Sequence, residues 1–129
     1  MIAFDTNHLV RHIVQDDPKQ CATVAQLIER ESVENRSIRI LDLVLLETSW
    51  VLESVYGFNR KAWVHVLGEL LEDAAFSFDD PVRLKRCLGQ FTSGKADFAD
   101  YLILSAANSQ DLQLKTFDRQ LQKEMRQRG

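Results

Sequence analysis

Acidic side chains at the ends of predicted strands are the residues of this sequence that could do chemistry. A short apolar run, residues 1–4, ends in Asp5, Thr6 and Asn7. A similar run near the other end of the chain, residues 112–117, ends in Asp118. In an open parallel sheet, ligands bind beyond the carboxyl ends of the strands. Two strands that each deliver an aspartate to that edge predict a site built from carboxylates.

A third acid, Glu47, lies inside a predicted helix among apolar residues. Its helical neighbours three and four positions away include Leu43, Trp50 and Val51. The pattern therefore places Glu47 in the apolar stripe of the helix. A carboxylate in such a stripe is neutralised, paired or bound to a metal ion, unless its side chain reaches solvent at the edge of the helix.

Asp97 and Asp100 share one face of a further predicted helix, in its first turn. Acids in a first turn interact favourably with the helix dipole and can cap the helix. Asp97 is therefore open to two interpretations, a helix cap or a ligand. Asp100 is followed at once by the apolar residues 101–103, so it borders the buried stripe, and this favours a functional role.

The winding of the chain is expected to bring these acids together. A right-handed α/β winding places the ends of the first and last strands side by side, with the start of the Asp97 helix close by. Carboxylates around one point repel one another unless a cation lies among them, and oxygen-rich sites suit Mg²⁺ or Mn²⁺. Such a site can hydrolyse phosphodiesters. The sequence contains neither a histidine pattern typical of zinc sites nor a glycine-rich phosphate loop.

The elements that must position the acids alternate between strands and helices. Apolar periodicity and capping residues such as Asp17, Asn59 and Gly57 set their limits. The predicted strands are residues 2–4, 37–41, 75–78 and 112–116, and the predicted helices are residues 8–14, 18–35, 42–56, 60–71, 81–93 and 96–110 and a last one from Asp118. This alternation predicts an α/β fold with a parallel sheet covered on both faces. At 129 residues the chain is expected to form one domain, residues 1–129.

The composition is that of an ordinary globular protein, with 45% hydrophobic and 27% charged residues and a net charge of −3. Residues 115–129 differ, because they carry five bases and two acids. That basic edge could guide a phosphate chain, although a solvated C-terminal helix is the plainer interpretation. The two cysteines, Cys21 and Cys87, lie on apolar helical faces and are expected to pack as small hydrophobes. We find no signal peptide and no run of membrane-spanning length, so we expect a cytoplasmic protein without membrane association.

Four stretches of the sequence together resemble the PIN-domain family, and within it the VapC-type ribonuclease toxins of prokaryotic toxin–antitoxin pairs. They are residues 5–7 (DTN), 45–47 (LLE), 96–103 (ADFADYLI) and 116–119 (TFDR). The resemblance covers nearly the whole chain in the family's order and approximate spacing. It implies a three-layer α/β domain with a central parallel sheet of four or five strands flanked by helices. It also implies a Mg²⁺-dependent endoribonuclease that is usually a homodimer and is inhibited by a small antitoxin protein, with Mn²⁺ as a possible substitute for Mg²⁺.

The resemblance assigns roles residue by residue. The acids that match the family's metal-binding quartet are Asp5, Glu47, Asp100 and Asp118. Asp97 matches an additional acid that is common in the subgroup with the DFAD sequence, and Thr6, Asn7 and Thr116 match the polar residues that orient the quartet. The implied mechanism has the acids hold one or two Mg²⁺ ions that activate a water molecule and stabilise the transition state.

Two features depart from the family pattern. Family members often continue into a final edge strand, whereas this sequence stops at Gly129, so the number of strands stays open between four and five. Asp42 stands where a neutral residue is more usual, before the Glu47 helix.

Two other functions remain open on the sequence alone. A haloacid-dehalogenase-like phosphatase also has an Asp at the tip of its first strand. It requires a second Asp two residues later, where this chain has Asn7, and its late lysine has only a loose counterpart in Lys95. The other alternative is a non-catalytic PIN-like module that binds RNA or protein. Loss of the acids would indicate it, and all four are present.

Overall fold

The computed structural model describes residues 1–128. The chain forms two compact units, Met1–Pro81 and the residues from Val82 onward. Gly129, the end of the predicted basic tail and of the predicted domain, lies outside the described residues.

The first unit contains four helices and a parallel pair of strands. In chain order these are α1 (Thr6–Ile13), α2 (Pro18–Val33), β1 (Ile38–Ile40), α3 (Asp42–Ser54), α4 (Arg60–Glu72) and β2 (Phe76–Phe78). The helix starts follow the predicted caps: Asp17 accepts a hydrogen bond from the Gln20 N–H (3.0 Å) and Asn59 accepts one from the Ala62 N–H (2.8 Å). Gly57 follows α3 with a φ of +71°, a conformation that favours glycine.

Strands β1 and β2 run parallel, with Ile38 opposite Phe76 and Ile40 opposite Phe78. The first segment of the chain joins the other edge of β1 through a single bridge between Ala3 and Arg39. The Phe4 N–H donates to the Arg39 carbonyl (3.2 Å), and the Arg39 N–H donates to the Ile2 carbonyl (2.9 Å). Helices flank these parallel segments, so the predicted α/β fold with a parallel sheet is confirmed.

The second unit consists mainly of the helices α5 (Pro81–Ser93), α6 (Phe98–Ser109) and α7 (Arg119–Arg128). The strand predicted at residues 112–116 is absent from the described structure. Within residues 1–128 the sheet therefore has two strands and one bridged segment, and the prediction of four or five strands was wrong. An alternating sequence becomes a strand only where another strand pairs with its backbone. Here the Leu112 N–H donates to the end of α6, at the Ala107 carbonyl (2.9 Å), and the Leu112 side chain is exposed.

Each unit has its own buried core. The core of the first is formed by the apolar faces of the helices and strands, with Leu9, Ile38, Ile40, Leu45, Leu52 and Leu67 fully buried. In the second, the Phe91 ring meets the rings of Phe98 (5.7 Å) and Tyr101 (6.1 Å) edge-on. Cys87 is buried there as a free thiol, as predicted. Ile103, one of the apolar residues taken to mark a buried stripe, is exposed instead.

The described part of the chain contains no helix that is both long enough and apolar enough to cross a membrane.

Candidate active site

Asp5 caps the helix that it precedes. Its Oδ1 accepts hydrogen bonds from the backbone N–H of His8 (2.9 Å) and lies 2.8 Å from the His8 ring nitrogen Nδ1. The bond from the His8 backbone, followed by the bond to its ring, lowers the pKa of Asp5 below its ordinary value. The side chain is nevertheless 68% exposed. Asp5 is therefore an ionised and accessible carboxylate whose orientation is fixed by α1.

Thr6 connects the DTN stretch to Glu47. The Thr6 hydroxyl donates a hydrogen bond to Glu47 Oε1 (3.1 Å), across 41 residues of sequence. This contact ties the first turn of α1 to the middle of α3. It gives Thr6, a residue predicted to orient the acids, a direct contact with one of them.

Glu47 lies on the exposed side of α3, so its predicted position in a buried apolar stripe was wrong. The neighbours that suggested burial, Leu43 and Trp50, are themselves 70% and 54% exposed. The buried side of the helix consists of Val44, Leu45, Thr48, Ser49 and Leu52. Because α3 is apolar on nearly every side, apolar neighbours three and four positions away do not identify the side that packs on the core. Glu47 thus needs no metal ion to compensate for burial.

Asn7 and Asp5 both line a cavity of about 350 Å³. The cavity also contains Arg11 and Gln20, which sequence reasoning did not single out. The Arg11 guanidinium is anchored by Gln20 Oε1 (2.7 Å), Asp16 Oδ1 (2.8 Å) and the Tyr56 hydroxyl (2.9 Å). The sequence spacing could have identified Arg11 as a cavity residue, because Arg11 follows Asn7 by four residues and so lies on the same face of α1.

In the second unit, Asp97 and Asp100 are linked at the start of α6. The Asp97 backbone N–H donates to Asp100 Oδ2 (3.2 Å), and the Asp100 N–H donates to the Asp97 carbonyl (3.0 Å). The Asp97 residue is the N-cap of the helix, and its side chain is exposed. The Asp100 carboxylate thereby orders the backbone that carries Asp97.

Asp118 caps the last helix and is held by Thr116. Its Oδ1 accepts a hydrogen bond from the Leu121 N–H (2.7 Å), and its own N–H donates to the Thr116 hydroxyl (3.1 Å). The Thr116 carbonyl in turn accepts a bond from the Gln122 side chain (2.5 Å). Although the predicted strand is absent, its last residue, Thr116, and Asp118 are held in a hydrogen-bonded turn.

The acids of the second unit affect one another electrostatically. Burial is the main cause that raises the pKa of Asp100; the hydrogen bond from the Asp97 backbone opposes it, and the charges of Asp118 and Asp97 raise the pKa further. Crowded carboxylate oxygens are the donors that Mg²⁺ and Mn²⁺ prefer, so the chemistry of this set fits such an ion. Across residues 1–128, however, no three or more His, Cys, Asp or Glu side chains are arranged to hold a metal ion.

The structure thus brings the predicted site residues together in two groups. In the first unit Thr6 contacts Glu47, and Asp5 and Asn7, the neighbours of Thr6 in the chain, line the cavity. Asp97, Asp100, Thr116 and Asp118 are associated in the second.

A family model, that of the PIN domain, matches residues 2–126. No curated protein and no solved structure matches the chain significantly.

Proposed function

The chain belongs to the PIN-domain family, and we propose that it is a Mg²⁺-dependent endoribonuclease, the toxin of a toxin–antitoxin pair. PIN domains are in general nuclease modules, commonly with divalent metal ions. The observation that carries the proposal is that the family match spans nearly the whole chain while every acid of the family's quartet is present. The contact between Thr6 and Glu47 supports it, because it joins two of the matching stretches.

In this proposal the ligands of Mg²⁺, or of Mn²⁺ in its place, are Asp5, Glu47, Asp100 and Asp118. A bound ion of this kind lowers the pKa of a coordinated water molecule and stabilises charge on a reacting phosphate. The hydroxyl of Thr6 fixes the rotamer of Glu47, and the hydroxyl of Thr116 fixes the turn that presents Asp118. Such supporting hydrogen bonds hold ligands in the orientation that binding requires.

Asp97 and Asn7 have supporting roles in the same proposal. The exposed side chain of Asp97 is an additional acid whose backbone is held by Asp100. The Asn7 side chain, in the cavity next to Asp5, supplies a polar contact that orients the substrate.

The decisive experiment is RNA cleavage by the purified protein with and without Mg²⁺, repeated on Asp5→Asn. Asparagine caps a helix about as well as aspartate does, so this change removes the charge while keeping α1 intact. A matched control is Asp17→Asn, which makes the same exchange at the cap of α2. We expect cleavage that requires the metal ion, is lost in Asp5→Asn and is retained in Asp17→Asn.

Two other outcomes would contradict the proposal. Cleavage that persists in Asp5→Asn or in a chelator would exclude the assigned mechanism. Binding of RNA with equal affinity in the presence and absence of Mg²⁺, without any cleavage, would favour a non-catalytic PIN-like binding module.

We further propose that a partner chain covers the exposed face of α3. Leu43 and Trp50 lie about one turn before and after Glu47 on that face, and both are largely exposed. Exposed apolar side chains that lie together with polar ones at their border are typical of a protein interface. The partner that we propose for this face is the antitoxin, which would cover Glu47 when bound. The alternative occupant of the same face is a second copy of the chain. Light scattering and RNA cleavage of wild type and Trp50→Glu, each measured alone and with the antitoxin, distinguish the two occupants. A dimer that is lost in Trp50→Glu identifies the second copy. Loss of the antitoxin's inhibition of cleavage in Trp50→Glu identifies the antitoxin.

A further inference from the structure

The turn before α7 and the helix itself form a groove of about 490 Å³, which we call the tail groove. Its lining includes Lys115, Thr116, Gln122, Met125 and Arg126. Basic, amide and apolar side chains are therefore combined along one open surface of the second unit.

The tail groove and its helix carry uncompensated positive charge. Within the described residues, the side chains of Lys115, Arg119, Lys123 and Arg126 form no ion pair. This segment has two acids, of which Glu124 is only 7% exposed and Asp118 is exposed, so the four bases exceed the acids by two. Exposed cations that are free of internal partners attract a polyanion.

Phe117 directly follows Thr116 of the groove lining, and its side chain is fully exposed to solvent (103%). Burial of a phenylalanine side chain stabilises a fold, and Phe117 does not contribute to folding in this way. Its neighbours in the chain are fixed, because the Thr116 carbonyl accepts a bond from Gln122 and Asp118 caps α7. The ring is thus held outward by an ordered backbone instead of being carried on a loose loop.

We propose that the tail groove binds single-stranded RNA, with the Phe117 ring stacked on one base and Lys115 and Arg126 bound to phosphates. The inference rests on the proposed function for the identity of the nucleic acid. A basic groove combined with an exposed aromatic ring is the arrangement by which proteins hold single strands. In a double helix the faces of the bases are covered by their neighbours, so an unpaired strand is the ligand that suits the ring.

The position of Phe117 in the chain indicates what stacking of a base on its ring would do for the proposed cleavage. The residue directly precedes Asp118, one of the proposed metal ligands. A base stacked on the ring therefore lies close to the carboxylate proposed to act on the backbone of the same strand. Phe117 is in this sense a positioning residue for the substrate.

The test is binding of a short single-stranded RNA that contains a fluorescent adenine analogue, measured in a chelator so that the RNA stays intact. We expect wild type to quench the fluorescence on binding, because stacking on an aromatic ring quenches such analogues. Phe117→Ala is expected to weaken binding about tenfold and to abolish the quenching, whereas Phe117→Trp retains both. Replacing Lys115 and Arg126 together by alanine should reduce the dependence of the affinity on salt. Val82→Ala is the matched control, since Val82 is 67% exposed in the same unit and does not line the groove.

The outcomes separate this inference from the proposed function. A wild type that cleaves RNA but whose Phe117→Ala variant binds RNA unchanged would overturn the inference and leave the nuclease proposal standing. A protein that never cleaves, but that loses RNA binding and quenching in Phe117→Ala, would support the inference and contradict the nuclease proposal. If Phe117→Ala altered the oligomeric state or antitoxin binding and left RNA affinity unchanged, the surface would be a protein interface and the inference would be wrong.

Discussion

Replacing Gly94 by alanine is expected to destabilise the second unit strongly. A Cβ atom at this position would overlap the Tyr101 hydroxyl and Glu124 Oε1, and would lie 2.8 Å from the Gln90 carbonyl oxygen. Tyr101 and Glu124 are 1% and 7% exposed, so neither side chain can swing freely into solvent. The methyl group must therefore displace a buried hydrogen-bonded pair.

The magnitude follows from the contacts that would be lost. The Tyr101 hydroxyl donates to Glu124 Oε1 (2.5 Å) and accepts a bond from the Ala96 N–H (3.0 Å). A hydrogen bond to a charged group contributes about 1.5–3 kcal/mol, and overpacking adds about 1–3 kcal/mol. The loss of unfolded-state entropy on going from glycine to alanine opposes these effects by about 0.4–1 kcal/mol. We expect the free energy of unfolding to fall by about 3 kcal/mol.

The assay is urea denaturation of wild type, Gly94→Ala and a matched variant, Gly89→Ala. A Cβ atom at Gly89 would meet no atom within 4 Å, and this residue lies inside α5. Alanine there should raise the free energy of unfolding by about 0.5–1 kcal/mol, because it is the better helix former. In a Tyr101→Phe background the hydroxyl that the methyl group strikes is absent, so Gly94→Ala should be less harmful. Equal stabilities of Gly94→Ala and wild type, or an undiminished loss in the Tyr101→Phe background, would refute the reasoning.

Three further predictions concern the first unit. Thr48→Val should raise the free energy of unfolding by about 1 kcal/mol in the same assay, because the Thr48 hydroxyl is buried without a hydrogen-bond partner in the structure; a decrease would show that the hydroxyl is bonded. The hydrogen bond from Arg36 lowers the pKa of the buried Glu31. The stability from this pair is therefore present above the glutamate pKa of the unfolded chain and lost as the pH falls through the folded pKa. Stability measured against pH should fall less steeply on the acid side in Glu31→Gln, and an identical profile would exclude the assignment. Thr6→Val should lower Mg²⁺-dependent RNA cleavage about tenfold without loss of fold, since it frees Glu47; unchanged activity would contradict the role given to Thr6.

The helices were predictable because their signals are local. Asp17 with Pro18, and Asn59, lie at the starts of α2 and α4 as the sequence indicates, and Gly57 follows α3 with a positive φ. Each of these residues acts on backbone groups within a few positions of itself, so its effect can be read without knowing the rest of the fold. The parallel pairing of β1 and β2 was also predictable from the sequence, because strands that are connected by helices pair in parallel.

The failures arose where a distant partner decides the outcome. Residues 112–116 have the alternation of a strand but no pairing strand in the described structure. For Glu47 the apolar neighbours were interpreted as a buried stripe, yet α3 has apolar residues on nearly every side and packs on the core with only one of them. The hydrogen bond from Thr6 to Glu47 spans 41 residues of sequence, and only the family resemblance linked those two stretches in advance.

The use of acids as helix caps has a consequence for how the proposed activity can be lost. Asp5 and Asp118 both accept a backbone N–H at the start of a helix, a task that asparagine performs equally well. An exchange of aspartate for asparagine requires one nucleotide change and deletes a proposed metal ligand while leaving the helix start intact. A mutation that abolishes the proposed activity therefore need not cause the chain to misfold. If the proposed activity is selected against, inactive but well-folded variants are the expected products, and they would retain the surfaces proposed here for RNA and for a partner chain.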